Sequence, residues 1–285
     1  MIDKFIETLK KQETPLMVKR LCEKERELIV KKRPNLCSLK NAFTAYRNCL
    51  KETVGPNYEV KNQSVLYIAL SILRLSTAEQ KEFSARKKKQ ITIEQSNLRP
   101  IYDVDGYINK AIALLDTSEP IKMAVGLCAL TGRRLAEIFS TAKFEKAEDN
   151  NHVLFSGQLK AKNSRELIAY KIPTLYDASI IITTLKKLRV VKKDYTTISL
   201  NEIHDLISWR VNKIYKDHFK GFYPEPLKPK DMRALYATIC YAKNPDERIS
   251  DQVFYSRILG HGENDIDTAG SYKDFYIPAQ KQPKL

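Results

Sequence analysis

Hydrophobic residues recur every three or four positions through the first 85 residues, which is the spacing of helices with one apolar face. One such stripe covers residues 2–9 and another covers 39–50, while residues 64–73 are apolar enough to form a buried helix. This pattern predicts a helical first domain.

The helical pattern is interrupted by a basic run at residues 85–90 that contains Arg86, Lys87, Lys88 and Lys89. Charged runs are most often solvated helix faces or loops, but this one separates two apolar blocks. We therefore predict a basic linker at the end of the first domain and a boundary near residue 90. The predicted domains are residues 1–90 and 91–285.

Beyond residue 90 the apolar spacing again predicts helices, and it also predicts two strands. The helices are expected over residues 108–115, 121–130, 177–189, 201–219 and 231–241. Residues 153–160 and 167–173 are expected to form a β-hairpin with Lys160 and Lys162 near its tip. A short helix that begins near residues 266–269 is expected to carry Tyr272. The predicted fold is mainly α with a small β-hairpin or sheet, an α+β class.

The charge of the chain favours a polyanionic partner. The sequence has 49 Lys+Arg against 34 Asp+Glu, a net charge of +15, and nucleic acid is the commonest polyanion that such proteins bind. The five cysteines form no Cys-x-x-Cys pair, so neither a zinc site nor a disulfide framework is predicted, and Cys128 and Cys240 are expected in the core. The N-terminus has no apolar signal segment, which predicts an intracellular protein.

The candidate chemistry is concentrated in Arg134 and in the segment from residue 228 to 276. That segment contains Lys230, Arg233, His261 and Tyr272. Two arginines can hold the non-bridging oxygens of a phosphate, and they remain charged at any physiological pH. A tyrosine can then act as the nucleophile on a DNA phosphodiester. The sequence has neither a phosphate-binding Gly-x-x-x-x-Gly-Lys loop nor a His-Glu-x-x-His helix, so we expect no ATP, metal or other cofactor.

Two sequence motifs resemble those of tyrosine recombinases, the superfamily that includes the phage integrases. Thr-Gly-Arg-Arg-Leu-Ala-Glu at 131–137 resembles their first arginine box, and Leu-Gly-His at 259–261 with a later tyrosine resembles their second. Two departures resemble one subfamily, the telomere resolvases or protelomerases. Lys230-Asp-Met-Arg233 replaces the usual His-x-x-Arg, and Tyr272 lies 11 positions after His261 instead of the usual nine. The likeness covers about residues 100–276.

The resemblance implies a helical core-binding domain followed by a catalytic domain of the tyrosine recombinase type. It implies an enzyme that cleaves and rejoins DNA through a 3′-phosphotyrosine and resolves replicated telomere junctions into hairpin ends. Double-stranded DNA with an inverted repeat is the implied partner, bound by a homodimer. The implied location is the cytoplasm of a bacterial or phage-infected cell.

The resemblance also assigns roles to individual residues. Arg134 and Arg233 would clamp the scissile phosphate, and Lys160 would be the general acid, with Lys162 as its rival. Lys230 would take the place of the motif histidine, and His261 would hydrogen-bond the phosphate. Tyr272 would be the nucleophile, with Tyr276 as its rival. The residues expected to contact DNA outside the reacting phosphate are Arg133, Lys162, Arg86, Lys87, Lys88 and Lys89.

Three alternatives remain open at this point: a conventional recombinase or integrase, a non-catalytic DNA-binding protein of the same fold, and a type IB topoisomerase. The target sequence, the host replicon, the role of residues 1–85 and the oligomeric state off DNA are not determined by the sequence. Family members usually carry terminal extensions, whereas 13 residues follow Tyr272 here. Whether this short segment limits hairpin formation is also open.

Overall fold

The structure is a computed structural model that describes residues 2–159, 168–190, 200–222, 226–244, 248–260 and 269–278, except for the side chains of residues 200, 201, 204 and 205. The chain divides into two compact units, Met1–Thr92 and Ile93–Leu285. The predicted class, mainly α with small β-sheets, is confirmed.

The first unit is built from helices of 8 and 18 residues that pack through their apolar stripes. Its elements are α1 (Ile2–Leu9), α2 (Pro15–Lys32), α3 (Leu36–Thr53), β1 (Glu59–Val60), β2 (Gln63–Ser64) and α4 (Val65–Ile72). The side chains of Thr14 and Asn35 cap α2 and α3 by accepting backbone N–H groups. Phe43 and Leu50 lie in the common core, as their place in the 39–50 stripe predicts.

The basic run lies inside a helix, α5 (Thr77–Ser96). The prediction that this run interrupts the helical structure is therefore wrong. The helix has no buried residue among its 20, because no apolar stripe runs along it. Arg86, Lys87, Lys88 and Lys89 are therefore exposed on a continuous helix, three to six residues before the end of the first unit.

The second unit combines helices with two small sheets. After α5 come β3 (Arg99–Pro100), α6 (Val104–Ala113), α7 (Pro120–Thr131), a π-helix (Glu137–Thr141), β4 (Lys143–Lys146), β5 (His152–Ser156), β6 (Tyr170–Pro173), α8 (Ala178–Val190), α9 (Leu200–His218), α10 (Pro229–Lys243), α11 (Asp251–Leu259) and β7 (Phe275–Tyr276). Helix α7 is the centre of the core, with every residue from Met123 to Thr131 buried. Cys128 and Cys240 are buried as predicted.

The predicted hairpin strands pair as β5 and β6, antiparallel, with Phe155 opposite Tyr170. The sequence did not predict β4, which adds a third antiparallel strand on the other side of β5 and places Phe144 opposite Phe155. The predicted tip, with Lys160 and Lys162, lies outside the described residues.

A parallel pair of strands joins the two ends of the second unit. Arg99 of β3 is in register with Phe275 of β7, and the Arg99 amide donates to the Asp274 carbonyl at 2.9 Å. The Arg99 guanidinium also lies 4.1 Å from the centre of the Phe275 ring and donates to Asp231 at 2.6 Å. Because Asp231 accepts the Lys228 amide at the start of α10, one arginine links the strand pair to that helix.

Trp209 lies on α9, and 61% of it is exposed. The buried face of α9 is formed by Ile207, Val211 and Tyr215, which follow each other at four-residue spacing. Trp209 lies two residues from Ile207 and Val211 and therefore on the opposite face. None of the helices within the described ranges combines the length and apolar character needed to cross a membrane.

Candidate active site

Gly132 ends α7 and directs the chain into the first arginine motif. It has a left-handed conformation, with φ of 65°. A Cβ at this position would lie 2.2 Å from the Tyr236 ring, so both the turn and the close packing require glycine. The next two residues, Arg133 and Arg134, extend to different surroundings: Arg133 is buried and Arg134 is partly exposed.

Glu137 fixes Arg134 by a reciprocal set of hydrogen bonds. Its carboxylate accepts the Arg134 backbone N–H at 2.9 Å and the Arg134 Nη1 at 2.6 Å. It also accepts the Leu159 amide at 3.2 Å, and the Leu159 carbonyl in turn accepts Arg134 Nη1 at 3.1 Å. The Arg134 backbone N–H is therefore occupied by Glu137. The sequence predicted no role for this glutamate beyond its place in the motif.

Glu137 is a carboxylate surrounded by cations. Its side chain is completely buried, and burial alone would raise its pKa. The positive charges of three arginines outweigh that effect and lower the pKa below its usual range. They are Arg133, Arg233 and Arg134. Three guanidinium groups and one carboxylate leave an excess of positive charge, which favours an additional anion here.

Arg233 lies on α10 and is 5% exposed. Its Nη1 donates to the Gly132 carbonyl at 2.5 Å and its Nη2 donates to the Leu259 carbonyl at 3.2 Å. Its Nε is buried and has no hydrogen-bond partner within the described part of the chain. Burial, and after it the charge of Arg133, lowers the pKa of Arg233 to about 10. A buried N–H donor with this environment fits an anionic oxygen.

Tyr272 lies beside Arg233. The guanidinium carbon of Arg233 is 5.3 Å from the centre of the Tyr272 ring. The Tyr272 amide donates to the Ala269 carbonyl at 3.0 Å, which closes a turn three residues before β7. The structure thus brings together Arg134, Glu137, Arg233 and Tyr272, whose positions span half of the chain.

Lys230 lies one helical turn before Arg233, and carboxylates hold its ammonium group. Lys230 Nζ is 3.2 Å from Asp274 and 3.8 Å from Glu94, with 47% of the side chain exposed. Burial raises the pKa of Asp274 above its usual value, although the charge of Lys230 acts in the opposite direction. Lys230 therefore contacts the segment that follows Tyr272, and its predicted catalytic role stays a prediction.

Three predicted site residues lie outside the described residues: Lys160, Lys162 and His261. Their described neighbours belong to the same site. Leu159, next to Lys160, contacts Arg134 and Glu137. Gly260, next to His261, ends α11 with φ of 71°, and its carbonyl accepts a hydrogen bond from the Gln158 side chain.

Arg133 was predicted to contact DNA, but it is only 1% exposed. Its Nη1 donates to the Tyr170 hydroxyl at 2.8 Å, its Nη2 donates to the Ile258 carbonyl, and its guanidinium lies 4.6 Å from the Phe155 ring. The same Tyr170 hydroxyl donates to the Gln158 side chain. The structure therefore places Arg133 beneath the site, where it joins the sheet to α11, and not on a surface that DNA can reach.

We expect Tyr170→Phe to lower the free energy of unfolding by about 1–3 kcal/mol. The change removes one hydroxyl and leaves both Arg133 Nη1 and the Gln158 carbonyl oxygen without this partner in a buried place. Chemical denaturation measures the effect. Tyr176→Phe is the matched control, because the Tyr176 hydroxyl has no hydrogen bond to any residue that the structure describes. Equal stability of the two variants would contradict the structural role of this network.

Solved structures with the same fold are protelomerases. Selenomethionine protelomerase TelA, covalently complexed with substrate DNA, superposes with a TM-score of 0.87 at 24% identity and covers 97% of this chain and 87% of that one. Protelomerase TelK complexed with substrate DNA gives a TM-score of 0.62 at 22% identity over 100% of this chain and 59% of that one. The chain thus has the fold of these protelomerases.

The family model of the telomere resolvase ResT/TelK catalytic domain matches residues 97–275. The chain therefore belongs to the telomere resolvase family, which confirms the resemblance found in its motifs. It is 30% identical to the protelomerase of Yersinia phage PY54 over 238 residues, 76% of this chain, and 21% identical to the telomere resolvase ResT of Borreliella burgdorferi over 197 residues, 69% of this chain. It spans 37% of the length of the first relative and 42% of the second.

Proposed function

We propose that this protein cleaves and rejoins DNA through Tyr272 and resolves replicated telomere junctions into covalently closed hairpin ends. The observation that carries the proposal is the buried, unpartnered Nε of Arg233, in the described part of the chain, next to the Tyr272 ring. A phosphate oxygen would supply the missing acceptor. Arg134, fixed by Glu137, would bind the phosphate from the side of the first motif.

In the first step, the Tyr272 oxygen attacks the scissile phosphorus. A tyrosine–phosphorus bond forms, the bond to the 5′ oxygen breaks, and the product is a 3′-phosphotyrosine with a free 5′-hydroxyl. The two arginines stabilise the negative charge on the non-bridging oxygens as it develops. The Tyr272 phenol releases its proton to water as its oxygen attacks. The leaving 5′ oxygen takes up one proton, which we assign to Lys160, with Lys162 as the rival donor.

In the second step, the 5′-hydroxyl of the opposite strand attacks the phosphotyrosine. One phosphodiester forms while the tyrosine–phosphorus bond breaks, so the phosphodiester is regenerated without ATP. The attacking hydroxyl gives its proton back to the lysine that protonated the leaving oxygen in the first step, and the released Tyr272 oxygen takes up a proton from water. We propose that His261 hydrogen-bonds the phosphate oxygens. We propose that Lys230 takes the role of the histidine in the usual His-x-x-Arg motif. Two copies of the chain on an inverted repeat would perform the two reactions symmetrically.

Double-stranded DNA is the proposed partner. The related TelA and TelK structures contain substrate DNA, and the net charge of +15 favours a polyanion. The exposed positive charges of α5 at residues 86–89 provide a phosphate-binding segment outside the site. The proposal places the protein in the cytoplasm of a bacterial or phage-infected cell.

We expect the salt dependence of DNA binding to become shallower when the α5 lysines are neutralised. If each lysine neutralises one phosphate, Lys87→Gln, Lys88→Gln and Lys89→Gln together reduce the log–log slope by up to about 2.7. Binding is measured by fluorescence anisotropy between low and physiological salt. The matched control removes three exposed lysines of α1 and the turn after it, Lys4, Lys10 and Lys11. A slope that changes equally in both triple variants would contradict a specific role of α5.

The function is tested with a supercoiled plasmid that carries the inverted repeat nearest this gene, incubated without metal or ATP. The products are run on a denaturing gel beside a Tyr272→Phe control. Linear DNA that snaps back after denaturation, only when the tyrosine is present, is the expected result.

Other products would support the competing functions. Exchanged circles would indicate a conventional recombinase, and relaxed circles without site preference would indicate a topoisomerase. Salt-sensitive binding without a covalent adduct, even on a nicked substrate that traps the intermediate, would indicate a non-catalytic DNA-binding protein.

A further inference from the structure

A π-helix begins at the last residue of the first arginine motif. It spans Glu137–Thr141, and its five-residue hydrogen bond runs from the Ala142 amide to the Glu137 carbonyl at 2.7 Å. Such turns are rare because their geometry is less favourable than that of an α-helix, and those that occur are often at functional sites. This one carries the carboxylate that fixes Arg134. Its position therefore has to be maintained by contacts from elsewhere in the fold.

Arg189, in the last turn of α8, supplies these contacts. Its Nη1 donates to the Phe139 and Ser140 carbonyls, the latter at 2.8 Å. Its Nη2 donates to the Ala142 carbonyl at 3.2 Å and to the Glu137 carbonyl at 3.4 Å. One guanidinium therefore binds four carbonyl oxygens in and just after the π-helix. Nothing in the sequence motifs indicates this role.

We propose that Arg189 is a positioning residue for Arg134. The inference rests on the proposed function, since it takes Arg134 as part of the phosphate-binding site. Arg189 holds the backbone of the π-helix, the π-helix carries Glu137, and the Glu137 carboxylate fixes both Arg134 and the Leu159 amide. The guanidinium of Arg189 thus acts on the reacting phosphate through the backbone of the π-helix and two intervening side chains, those of Glu137 and Arg134.

The shape of the guanidinium explains why arginine occupies this position. Its planar fork offers donors in two directions, so that Nη1 and Nη2 each reach a different pair of carbonyls. A lysine ammonium is a single point with three donors and cannot span the same four oxygens. Arg189→Lys is therefore expected to keep part of the effect, whereas Arg189→Met keeps an unbranched apolar stem but none of the donors.

The first arm of the test measures the π-helix itself by amide hydrogen exchange. In Arg189→Met, exchange at the Ala142 and Leu159 amides is expected to accelerate about tenfold or more. The Leu39 amide in the first unit serves as the internal reference. Lys187→Gln is the matched control, since Lys187 is an exposed cation in the same turn of α8. Unchanged exchange at Ala142 and Leu159 in Arg189→Met would overturn the proposal.

The second arm measures covalent attachment to a nicked substrate at saturating DNA. A displacement of about 1 Å in a reacting geometry reduces rates by about 10²-fold, so we expect a loss of about 10- to 100-fold for Arg189→Met. A smaller loss is expected for Arg189→Lys, and none for Lys187→Gln. The dissociation constant for DNA is expected to stay within about twofold, since phosphate contacts outside the site dominate binding.

Two further results would overturn the proposal. One is a wild-type attachment rate in Arg189→Met. The other is a lower melting temperature of this variant accompanied by equal losses of attachment and of DNA binding, which would indicate a general loss of stability. If Arg189→Met does not fold, Arg189→Lys decides by the same criteria. If the wild-type protein itself forms no adduct, the proposed function fails, while the exchange arm still decides whether Arg189 holds the π-helix.

Discussion

Tyr272→Phe is expected to abolish covalent attachment to DNA and to leave DNA affinity within about twofold of the wild-type value. The change removes only the phenolic oxygen, which is the nucleophile of the proposed first step. The ring remains to pack against the Arg233 guanidinium, 5.3 Å from its centre, so the arginine site keeps its shape. Binding depends on phosphate contacts along the duplex, and these do not involve the phenol.

The measurement uses a nicked, fluorescently labelled substrate that traps the covalent intermediate, with adducts separated on a denaturing protein gel. Tyr276→Phe is the control, because Tyr276 is the rival nucleophile four residues later and is 42% exposed on β7. Its backbone carbonyl, and not its hydroxyl, pairs with Ile101. Full adduct formation by Tyr272→Phe, or its loss in Tyr276→Phe alone, would reassign the nucleophile.

Arg233→Met is expected to reduce the rate of covalent attachment by about 10²–10³-fold with only a small effect on folding. The rate falls because the variant removes a preorganised donor to the non-bridging oxygens of the phosphate. Two effects on stability oppose each other. The Gly132 and Leu259 carbonyls lose a donor, but a buried cation whose pKa has been lowered to about 10 is also removed. We expect the free energy of unfolding to change by less than about 2 kcal/mol.

Single-turnover attachment at saturating DNA, combined with thermal unfolding, separates these two effects. Arg257→Met is the matched control, since Arg257 is an exposed arginine at the end of α11, two residues from Leu259. Its attachment rate is expected to equal that of the wild type. An Arg233 variant that attaches within about threefold of the wild-type rate would exclude Arg233 from the phosphate site.

Local patterns in the sequence predicted the helices and the β5–β6 hairpin, because apolar spacing and turn residues act over few positions. The motifs likewise identified Arg134, Arg233 and Tyr272, which the structure brings to one site. The sequence did not predict β4 or the β3–β7 pair. These three strands each contain four or fewer residues, which is too short for a clear pattern, and β3 pairs with β7, which lies far away along the chain.

Arg133 shows how neighbouring residues in one motif can differ in environment. Arg133 and Arg134 are adjacent in sequence, but the left-handed Gly132 before them directs Arg133 beneath the site, between the sheet and α11, and Arg134 towards the carboxylate of Glu137. The positive φ could have been anticipated from the glycine, but the burial depends on tertiary contacts with Tyr170. Glu137 did have a local signal, because a glutamate three residues after Arg134 occupies the position that caps the start of a helix. Arg189 had none.

The pairing of β3 with β7 has a consequence for the order in which the protein matures. It joins Arg99 to Phe275, so a loop of nearly the whole second unit must close before the pair can form. During synthesis, which proceeds from the N-terminus, both arginine motifs leave the ribosome before β7 does. We therefore expect nascent chains to acquire the anion-binding arginines first and the anchored tyrosine last. Under the proposed function, a partly synthesised chain would bind DNA before it is able to cleave it.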